Sequence, residues 1–269
     1  MSKQNPFDQK KNAILEGINS LEPDLSPKGS IDHLCLPIMD LINSHKDMVT
    51  TSSCSGRISV FVEGTKSVSD DETKTGGKGL GGRWLYVSHE QDKVLNWIDT
   101  LREDEIEFES VEDTGDEFDN SIRYILYKYE PFILHVKCRD IKSASKLFNV
   151  AMSCGFRESG IGSNNTVAIR INIKLDVPVC LLDEKNKDRL IFFVSKRYIS
   201  ILDKLTVSKF IENKKKMDEL YNKIDKEIIS VPLEDESTKN QEVKETKEER
   251  RERKRKEGLE RQRKLQNQE

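Results

Sequence analysis

The sequence predicts an α+β protein with a largely antiparallel sheet and flanking helices. Segments in which apolar and polar residues alternate are frequent, and short loops connect them. Strands that return through short loops pair antiparallel, whereas a doubly wound parallel sheet needs a helix between successive strands. We therefore do not expect a Rossmann-type architecture.

The N-terminal part of the chain predicts two helices. Asn5 is placed to cap a helix that has Pro6 in its first turn, and Pro23 closes that segment. A second helix is expected over Asp32–Ser44. Pro37 inside it predicts either a kink or a start delayed to that residue.

The rest of the chain predicts a series of strands interrupted by helices. The expected strands are Met48–Ser53, Arg57–Glu63, Trp84–His89, Ile122–Lys128, Phe132–Lys137, Thr166–Ile173, Val177–Leu182 and Leu190–Val194. The expected helices are Asp92–Arg102, Asp140–Cys154, which Gly155 ends, and Val207–Ile229. Each half contains a helix, a Ser/Gly/Arg turn and an alternating strand, so a duplicated helix-strand-strand unit is a further hypothesis.

Composition divides the chain into a globular part, residues 1–229, and a charged tail, residues 230–269. The tail is rich in Lys, Glu, Arg and Gln and has no aromatic residue, which predicts a partly helical or disordered segment. Residues 244–269 contain eleven Lys or Arg and seven Glu, a net charge of +4. This leaves −7 for the remainder of a chain whose total is −3.

Several features predict a cytoplasmic protein. No apolar run is long enough for a membrane helix, and no signal segment is evident at the N-terminus. The five cysteines are scattered and form no Cys-x-x-Cys pair, which argues against a disulfide framework and against a structural zinc site.

The segment Thr50–Arg57 is the most unusual part of the sequence. Within it, Ser52-Ser53-Cys54-Ser55-Gly56 stands where β-branched or aromatic residues would continue a strand. Small hydroxyl side chains beside one fixed positive charge suit a phosphate, a carboxylate or a nucleotide edge. The alternative is a bulged strand with a solvated serine face.

An acidic body needs a local basic face if it is to bind RNA, because phosphate neutralisation supplies much of nucleic-acid affinity. Two groups of basic residues are candidates. They are Arg57, Lys66, Lys74, Lys78 and Arg83 in the first, and Arg139, Lys142, Lys146 and Arg157 in the second.

Gly77–Gly82 formally satisfies G-x-G-x-x-G. That motif binds dinucleotides only between a strand and a helix, whereas here a polar loop precedes it and a strand follows. We expect a loop that closes over substrate, with Lys78 and Arg83 near its end, or a surface loop without a role.

Cys54 and Arg57 are separated by two residues only, which is too few for the phosphate cradle of cysteine phosphatases. We therefore expect Cys54 to be a packed thiol or part of a pocket wall. Among the histidines, His89 and His135 are the candidates for chemistry, because both lie at the ends of predicted strands. The alternative is that each is a structural hydrogen-bonding residue. We expect no metal site, because no third ligand is evident at a suitable spacing.

The segment Thr51-Ser52-Ser53-Cys54-Ser55-Gly56-Arg57 resembles the signature of the wybutosine-synthesis tRNA N4-methyltransferase family. Three further blocks agree with the family in order, and the similarity covers roughly Phe7 to Ile224. These blocks are Lys78 with Gly82–Trp84 and Val87–His89, then Glu130–Val136, then Ala151 with Gly155–Ile161.

This resemblance implies methylation of N4 of the 7-(aminocarboxypropyl)-demethylwyosine precursor at the position 3′ to the anticodon of phenylalanine tRNA. The implied cofactor is S-adenosylmethionine, and the implied partners are the anticodon loop of this tRNA and, transiently, other enzymes of the pathway. The implied roles are catalysis by His89 and His135, cofactor binding by Ser53, Cys54, Ser55, Gly56, Arg57, Ser159 and Gly160, and substrate binding by Lys78, Arg83, Trp84 and Arg157.

Two other functions are open on the residues alone. A non-catalytic RNA-binding module would use the same basic groups to hold phosphates. A phosphate-ester hydrolase would depend on the thiol of Cys54.

Overall fold

A computed structural model of the protein describes residues 5–20, 29–64, 81–95, 97–101, 106–108, 123–183 and 189–230. Over these residues the protein is α+β, as predicted, with one eight-stranded sheet and helices packed against it. All strand pairs are antiparallel except that between β3 and β8. The prediction of a largely antiparallel sheet is confirmed.

The sheet is built around its two longest strands. Its main path runs in the order β2-β1-β4-β7-β8-β3, while β6 pairs with β4 and β5 pairs with β6. The strands are β1 (Met48–Val62), β2 (Arg83–Ser88), β3 (Ile106–Phe108), β4 (Arg123–Cys138), β5 (Gly160–Ile161), β6 (Thr166–Arg170), β7 (Leu175–Asp183) and β8 (Arg189–Phe192).

The α-helices are α1 (Pro6–Ile18), α2 (Leu36–Ser44), α3 (Ile141–Ser153) and α4 (Lys196–Ile224), and a π-helical turn, Asp225–Ile229, continues α4. Asn5 caps α1 as predicted, because its Oδ1 accepts a hydrogen bond from the Phe7 amide at 2.9 Å. A 3₁₀ turn, His33–Cys35, precedes α2, so Pro37 delays the start of this helix rather than kinking it. The closing helix begins at Lys196, capped by Ser195, well before the predicted Val207.

The predicted separation of two pairs of strands is wrong. Met48–Ser53 and Arg57–Glu63 are parts of the single strand β1, and the segments on either side of Pro131 form the single strand β4. On the side away from β1, β4 pairs with β7 up to Tyr129 and with β6 from Ile133. Pro131 lies in the gap between these two partners, where its missing N–H breaks no ladder.

The predicted helix over Asp92–Arg102 is also wrong within the described residues. Two 3₁₀ turns, Gln91–Lys93 and Ile98–Thr100, lie here instead. Val94 and Trp97 are fully buried, and the Trp97 indole donates a hydrogen bond to Asp203 of α4 at 3.0 Å. This tertiary contact outweighs the local helical pattern.

The core has two parts, and α4 contributes to both. One lies between α2, α3 and the half of the sheet that contains the C-terminal end of β4. The other lies over the opposite half and includes Trp97, Tyr127 and Tyr129. Met217 and Leu220 of α4 belong to the first part, whereas Ile199 and Leu202 belong to the second.

A single amide side chain on α4 links β1 to β4 at the centre of the sheet. Asn213, which is 2% exposed, donates to the Ser55 carbonyl at 2.8 Å and accepts from the Phe132 amide at 2.8 Å. Next to it, Gly56 has φ of +104°, and a Cβ there would lie 3.1 Å from Asn213 Nδ2 and 3.2 Å from the Glu130 carbonyl. Both the dihedral angle and this close approach require glycine.

No helix in the described part of the chain is long and apolar enough to cross a membrane. The chain separates into two units between Ser230 and Val231. The second unit lies outside the described residues, so the division into a domain of residues 1–229 and a tail of residues 230–269 stays a prediction. The same is true of the duplicated helix-strand-strand unit.

Replacing Gly56 with alanine should destabilise the protein. Because Gly56→Ala introduces a Cβ at positive φ against Asn213, we expect the free energy of unfolding to fall by about 1–3 kcal/mol in urea titrations. Gly17→Ala is the matched control, since Gly17 is an exposed helical residue and an added methyl group would meet no atom within 4 Å. That variant should be up to about 1 kcal/mol more stable. Equal stability of the two variants would contradict the structural role of Gly56.

Candidate active site

The signature segment lies at an edge of β1 that β2 leaves uncovered. The pairing between β2 and β1 runs from Ile58 to Val62, and the signature ends at Arg57, immediately before this pairing begins. His89 is the first residue after β2, and Asp32 immediately precedes the 3₁₀ turn before α2. The fold thus brings three distant segments together at the point where β2 ends.

Asp32 holds this edge of β1 in place. Its Oδ2 accepts hydrogen bonds from the Ser55 amide at 2.9 Å and from the Ser55 hydroxyl at 3.2 Å. The same oxygen lies 3.7 Å from Nε2 of His89. Asp32 is 7% exposed, whereas the His89 side chain is 20% exposed, so the carboxylate is interior and the imidazole reaches the surface.

Cys54 lies near Asp32 and His89, and the positive charge of Arg57 also acts on it. Burial raises the pKa of its thiol, and this effect outweighs the opposing hydrogen bond from Gly56 and the charge of Arg57. The thiol therefore stays protonated at neutral pH. A protonated, half-buried thiol fits the expected pocket wall and not an activated nucleophile.

Arg57 is held between a carboxylate and an aromatic ring. Its Nε donates to Glu130 Oε2 at 2.7 Å, and its guanidinium carbon lies 5.3 Å from the centre of the Trp84 ring. Burial alone would lower the pKa of Arg57, but the hydrogen bond and charge of Glu130 raise it above its usual value. The guanidinium is therefore permanently charged and fixed in direction.

A second group of candidate residues surrounds His135 in β4. His135 pairs in register with Ser52 of β1 on one side and with Ala168 of β6 on the other, and Ala168 pairs with Gly160. The hydroxyl of Ser159 accepts a hydrogen bond from the Arg170 amide at 3.1 Å. Burial and, next, the charge of Arg170 lower the pKa of His135, so its imidazole is neutral at pH 7.

The fold places both candidate histidines near Cys54. The ligand atoms of Cys54 and His89 lie within 4.8 Å of each other, and the strand register places His135 diagonally opposite Cys54. Cys54 pairs with Ile133, and His135 follows Ile133 by two residues on the same face of the sheet. Such diagonal neighbours have Cβ atoms about 7–8 Å apart. Cys54 is therefore flanked by His89 at the strand edge and by His135 across the strand pair.

Other predicted site residues lie away from Cys54 and the two histidines, or outside the residues that the structure describes. The Ser53 hydroxyl lies 3.3 Å from Sδ of Met39 in α2, on the core side of β1. Arg83 and Arg157 are exposed, and Lys78 lies outside the described residues together with Lys66 and Lys74.

The inclusion of Arg139 in a basic RNA-binding face is not supported. Its guanidinium binds Asp8 at 2.5 Å and Asp47 at 2.6 Å, and it lies 4.7 Å from the centre of the Phe7 ring. Two carboxylates therefore already neutralise the charge of Arg139. Its ion pair with Asp8 links α1 to the end of β4.

The structure adds four residues that the sequence analysis did not assign to the site. They are Asp32, Glu130, Arg170 and Asn213. Asn213 had a detectable signal, since it shares a helical face with Phe210 and Met217, where an apolar residue is expected. Asp32 had none, because an acidic residue before a helix is usually read as a cap.

The fold brings three potential metal ligands together, although their spacing in the sequence did not predict this. The ligand atoms of Asp32, Cys54 and His89 lie within 4.8 Å of one another.

A separate concavity of about 380 Å³ lies between the 3₁₀ turn with α2 and α4. Its lining combines apolar side chains with an ion-paired lysine and aspartate, and consists of His33, Leu34, Pro37, Ile38, Lys214, Met217, Asp218 and Tyr221.

Comparison with known proteins shows the family of this chain. The family model described as Methyltransferase TYW3 matches residues 9–226. A tRNA wybutosine-synthesizing protein 3 from Saccharomyces cerevisiae is 61% identical, over 99% of this chain and 98% of the relative. Another from Schizosaccharomyces pombe is 41% identical, over 82% of this chain and 88% of the relative.

Among solved structures, the PH1069 protein from Pyrococcus horikoshii OT3 is similar, with a TM-score of 0.59 and 25% identity over 83% of this chain and 95% of that one. The chain belongs to the TYW3 methyltransferase family and is a methyltransferase. The resemblance inferred from the signature is confirmed, and so is the expectation of a non-Rossmann fold.

Alkylation should distinguish a packed Cys54 from a nucleophilic one. Because burial raises its thiol pKa, we expect iodoacetamide to label Cys54 in the folded protein at neutral pH more slowly than in denaturant, and faster as the pH rises. The other four cysteines are buried and serve as internal controls. Site-resolved mass spectrometry gives the rates. Rapid labelling of Cys54 in the folded state at neutral pH would instead support the hydrolase hypothesis.

Proposed function

We propose that this enzyme transfers a methyl group from S-adenosylmethionine to N4 of the 7-(aminocarboxypropyl)-demethylwyosine precursor, at the position 3′ to the anticodon of phenylalanine tRNA. The names of the two fungal relatives, which match most of the chain, support a role in wybutosine synthesis. The observation that carries the proposal is the placement of the signature segment. It runs along an open strand edge between two histidines and holds a fixed guanidinium.

The signature fits the methionine end of the proposed cofactor. A guanidinium has five N–H donors, and Glu130 accepts from Nε, so Arg57 can bind a ligand carboxylate in addition. We assign cofactor contacts to Ser53, Cys54, Ser55, Gly56, Arg57, Ser159 and Gly160. Of these, Ser55 acts through its anchoring to Asp32, and Gly56 keeps the backbone clear of a side chain.

S-adenosylmethionine supplies a methyl group that its sulfonium has already activated. The protein must therefore align the acceptor nitrogen, exclude water and accept one proton. A neutral imidazole can accept that proton, and the lowered pKa of His135 keeps it neutral at pH 7. We assign proton acceptance and contact with the reacting base to His89 and His135.

The tRNA anticodon loop presents unstacked bases and phosphates. Trp84 offers an aromatic ring beside the guanidinium of Arg57, and aromatic rings commonly stack on bases of single-stranded RNA. We assign substrate contacts to Trp84, Arg83, Arg157 and Lys78. Transient contact with other enzymes of the pathway belongs to the same proposal.

We place the enzyme in the cytoplasm, where its five free cysteines would stay reduced. The alternative function is a non-catalytic module that binds RNA. Membership of a methyltransferase family disfavours this alternative.

Methyl transfer should depend on Arg57. With labelled S-adenosylmethionine and phenylalanine tRNA from cells that lack this enzyme, we expect the wild type to label the tRNA. Arg57→Ala should lose on the order of tenfold or more in kcat/KM, because the guanidinium has no replacement. Arg57→Lys should recover part of this loss, since it keeps the charge but not the planar fork.

The matched control is Arg189→Ala, which removes a partly exposed arginine of β8 that is paired with Glu107 of β3. It should retain wild-type turnover. If wild-type protein binds the tRNA and transfers no label, the chain is a binding module and the proposed function is wrong.

A further inference from the structure

We infer that Asp32 is the positioning residue that makes His89 a proton acceptor. This inference rests on the proposed function for its chemical meaning, but its structural content can be tested without turnover. It starts from one oxygen, Oδ2 of Asp32, which contacts both the backbone of the signature and the imidazole of His89.

Burial of the Asp32 carboxylate costs free energy unless hydrogen bonds compensate it. A carboxylate that is 7% exposed needs hydrogen-bond donors, and the Ser55 amide and hydroxyl supply two of them. These bonds fix the carboxylate relative to the β1 edge. Asn213 of α4 donates a hydrogen bond to the carbonyl of the same Ser55. The position of the carboxylate is therefore also fixed relative to α4 and the centre of the sheet.

The imidazole ring of His89 lies close to the same carboxylate oxygen. Its Nε2 lies 3.7 Å from Oδ2, which is within ion-pair range and about 0.5–1 Å longer than a hydrogen bond. Catalytic hydrogen bonds are often this long before substrate binds and then shorten. A carboxylate on this side favours the neutral tautomer with its proton on Nε2, which presents Nδ1 as the basic nitrogen.

His89 then accepts the proton that the proposed reaction releases. The bond between sulfur and methyl carbon breaks with its electron pair going to sulfur, and a bond from the acceptor nitrogen to that carbon forms. The acceptor nitrogen loses its proton to Nδ1 of His89. The resulting imidazolium is stabilised by Asp32 and releases its proton to solvent, in the manner of carboxylate-oriented histidines in general.

The charged and titratable groups around this pair favour the arrangement. Cys54 is protonated and therefore neutral, and Glu130 already neutralises Arg57. Asp32 supplies a negative charge 3.7 Å from Nε2 of His89, and this charge stabilises an imidazolium there.

The test compares Asp32→Asn with Asp40→Asn. Asp40 is an exposed residue of α2 and serves as the matched control. Nitrogen-15 shifts of the His89 ring report its tautomer directly, and His89→Gln assigns the signals. We expect the Nε2-protonated tautomer in the wild type and in Asp40→Asn. In Asp32→Asn we expect a loss of this preference, because the amide offers a donor in place of one acceptor oxygen.

In methyl-transfer assays, Asp32→Asn should lower kcat by about a hundredfold with little change in KM, since general-base catalysis contributes roughly 10²–10⁴-fold. Asp32→Asn in a His89→Gln background should add little further loss, because the two residues act as one unit.

Several results would overturn the inference. An Nδ1-protonated ring in the wild type would do so even if Asp32→Asn failed to fold, and so would an unchanged tautomer in a folded Asp32→Asn protein. If added Co²⁺ gave a thiolate charge-transfer band that Cys54→Ser abolished, Asp32, Cys54 and His89 would form a metal site instead. Absence of methyl transfer by the wild type, with the expected tautomers intact, would contradict only the proposed function.

Discussion

The pairing of β1 with β4 across Gly56 and Pro131 is the constraint on which the rest of the structure depends. These two strands are the longest of the sheet, and every other strand except β3, β5 and β8 pairs directly with one of them. Near the midpoint of β4, the alternation of buried and exposed residues shifts by one position. Tyr127 and Tyr129 are buried before Pro131, whereas Phe132 and Leu134 are buried after it. Asn213 bonds to both strands at this change, which lets one long helix cover both halves of the core.

The same constraint creates the candidate site. β2 covers only the second half of β1, so the signature residues keep a free strand edge, and Asp32 satisfies the Ser55 amide there. Ser55 and Gly56 are locally unfavourable for a strand, and they lie where β1 meets other elements: Ser55 binds Asp32, and Gly56 leaves no room for a side chain beside Asn213. Local sequence preferences are thus violated where the site is built, as is common at functional centres.

Much of the fold was predictable from local patterns. The cap at Asn5, the helix that follows Asp140 and the alternating strands need only short-range information, and the structure confirms them. The merging of strands through Pro131 and the 3₁₀ turns around Trp97 were not predictable in this way. They depend on the change of partner along β4 and on a hydrogen bond to Asp203, both of which join residues far apart in the chain.

The candidate site was predictable only in part, for a related reason. The signature and His135 were identified because they lie in resembling blocks, whereas Asp32 and Asn213 become visible only when the backbone of Ser55 is placed. Ion pairs show the same limit, since the charge of Arg139 gave no indication that Asp8 and Asp47 would occupy it. Identity of residues indicated the chemistry, and three-dimensional proximity was needed to assign the supporting groups.

The central claim is that the signature edge of β1 is the cofactor site. A crystal structure of the protein with S-adenosylhomocysteine tests it most directly. The account predicts the ligand carboxylate on Arg57 and its sulfur close to Cys54, between His89 and His135. Ligand bound instead in the concavity lined by His33 and Tyr221, with the signature edge empty, would contradict the claim.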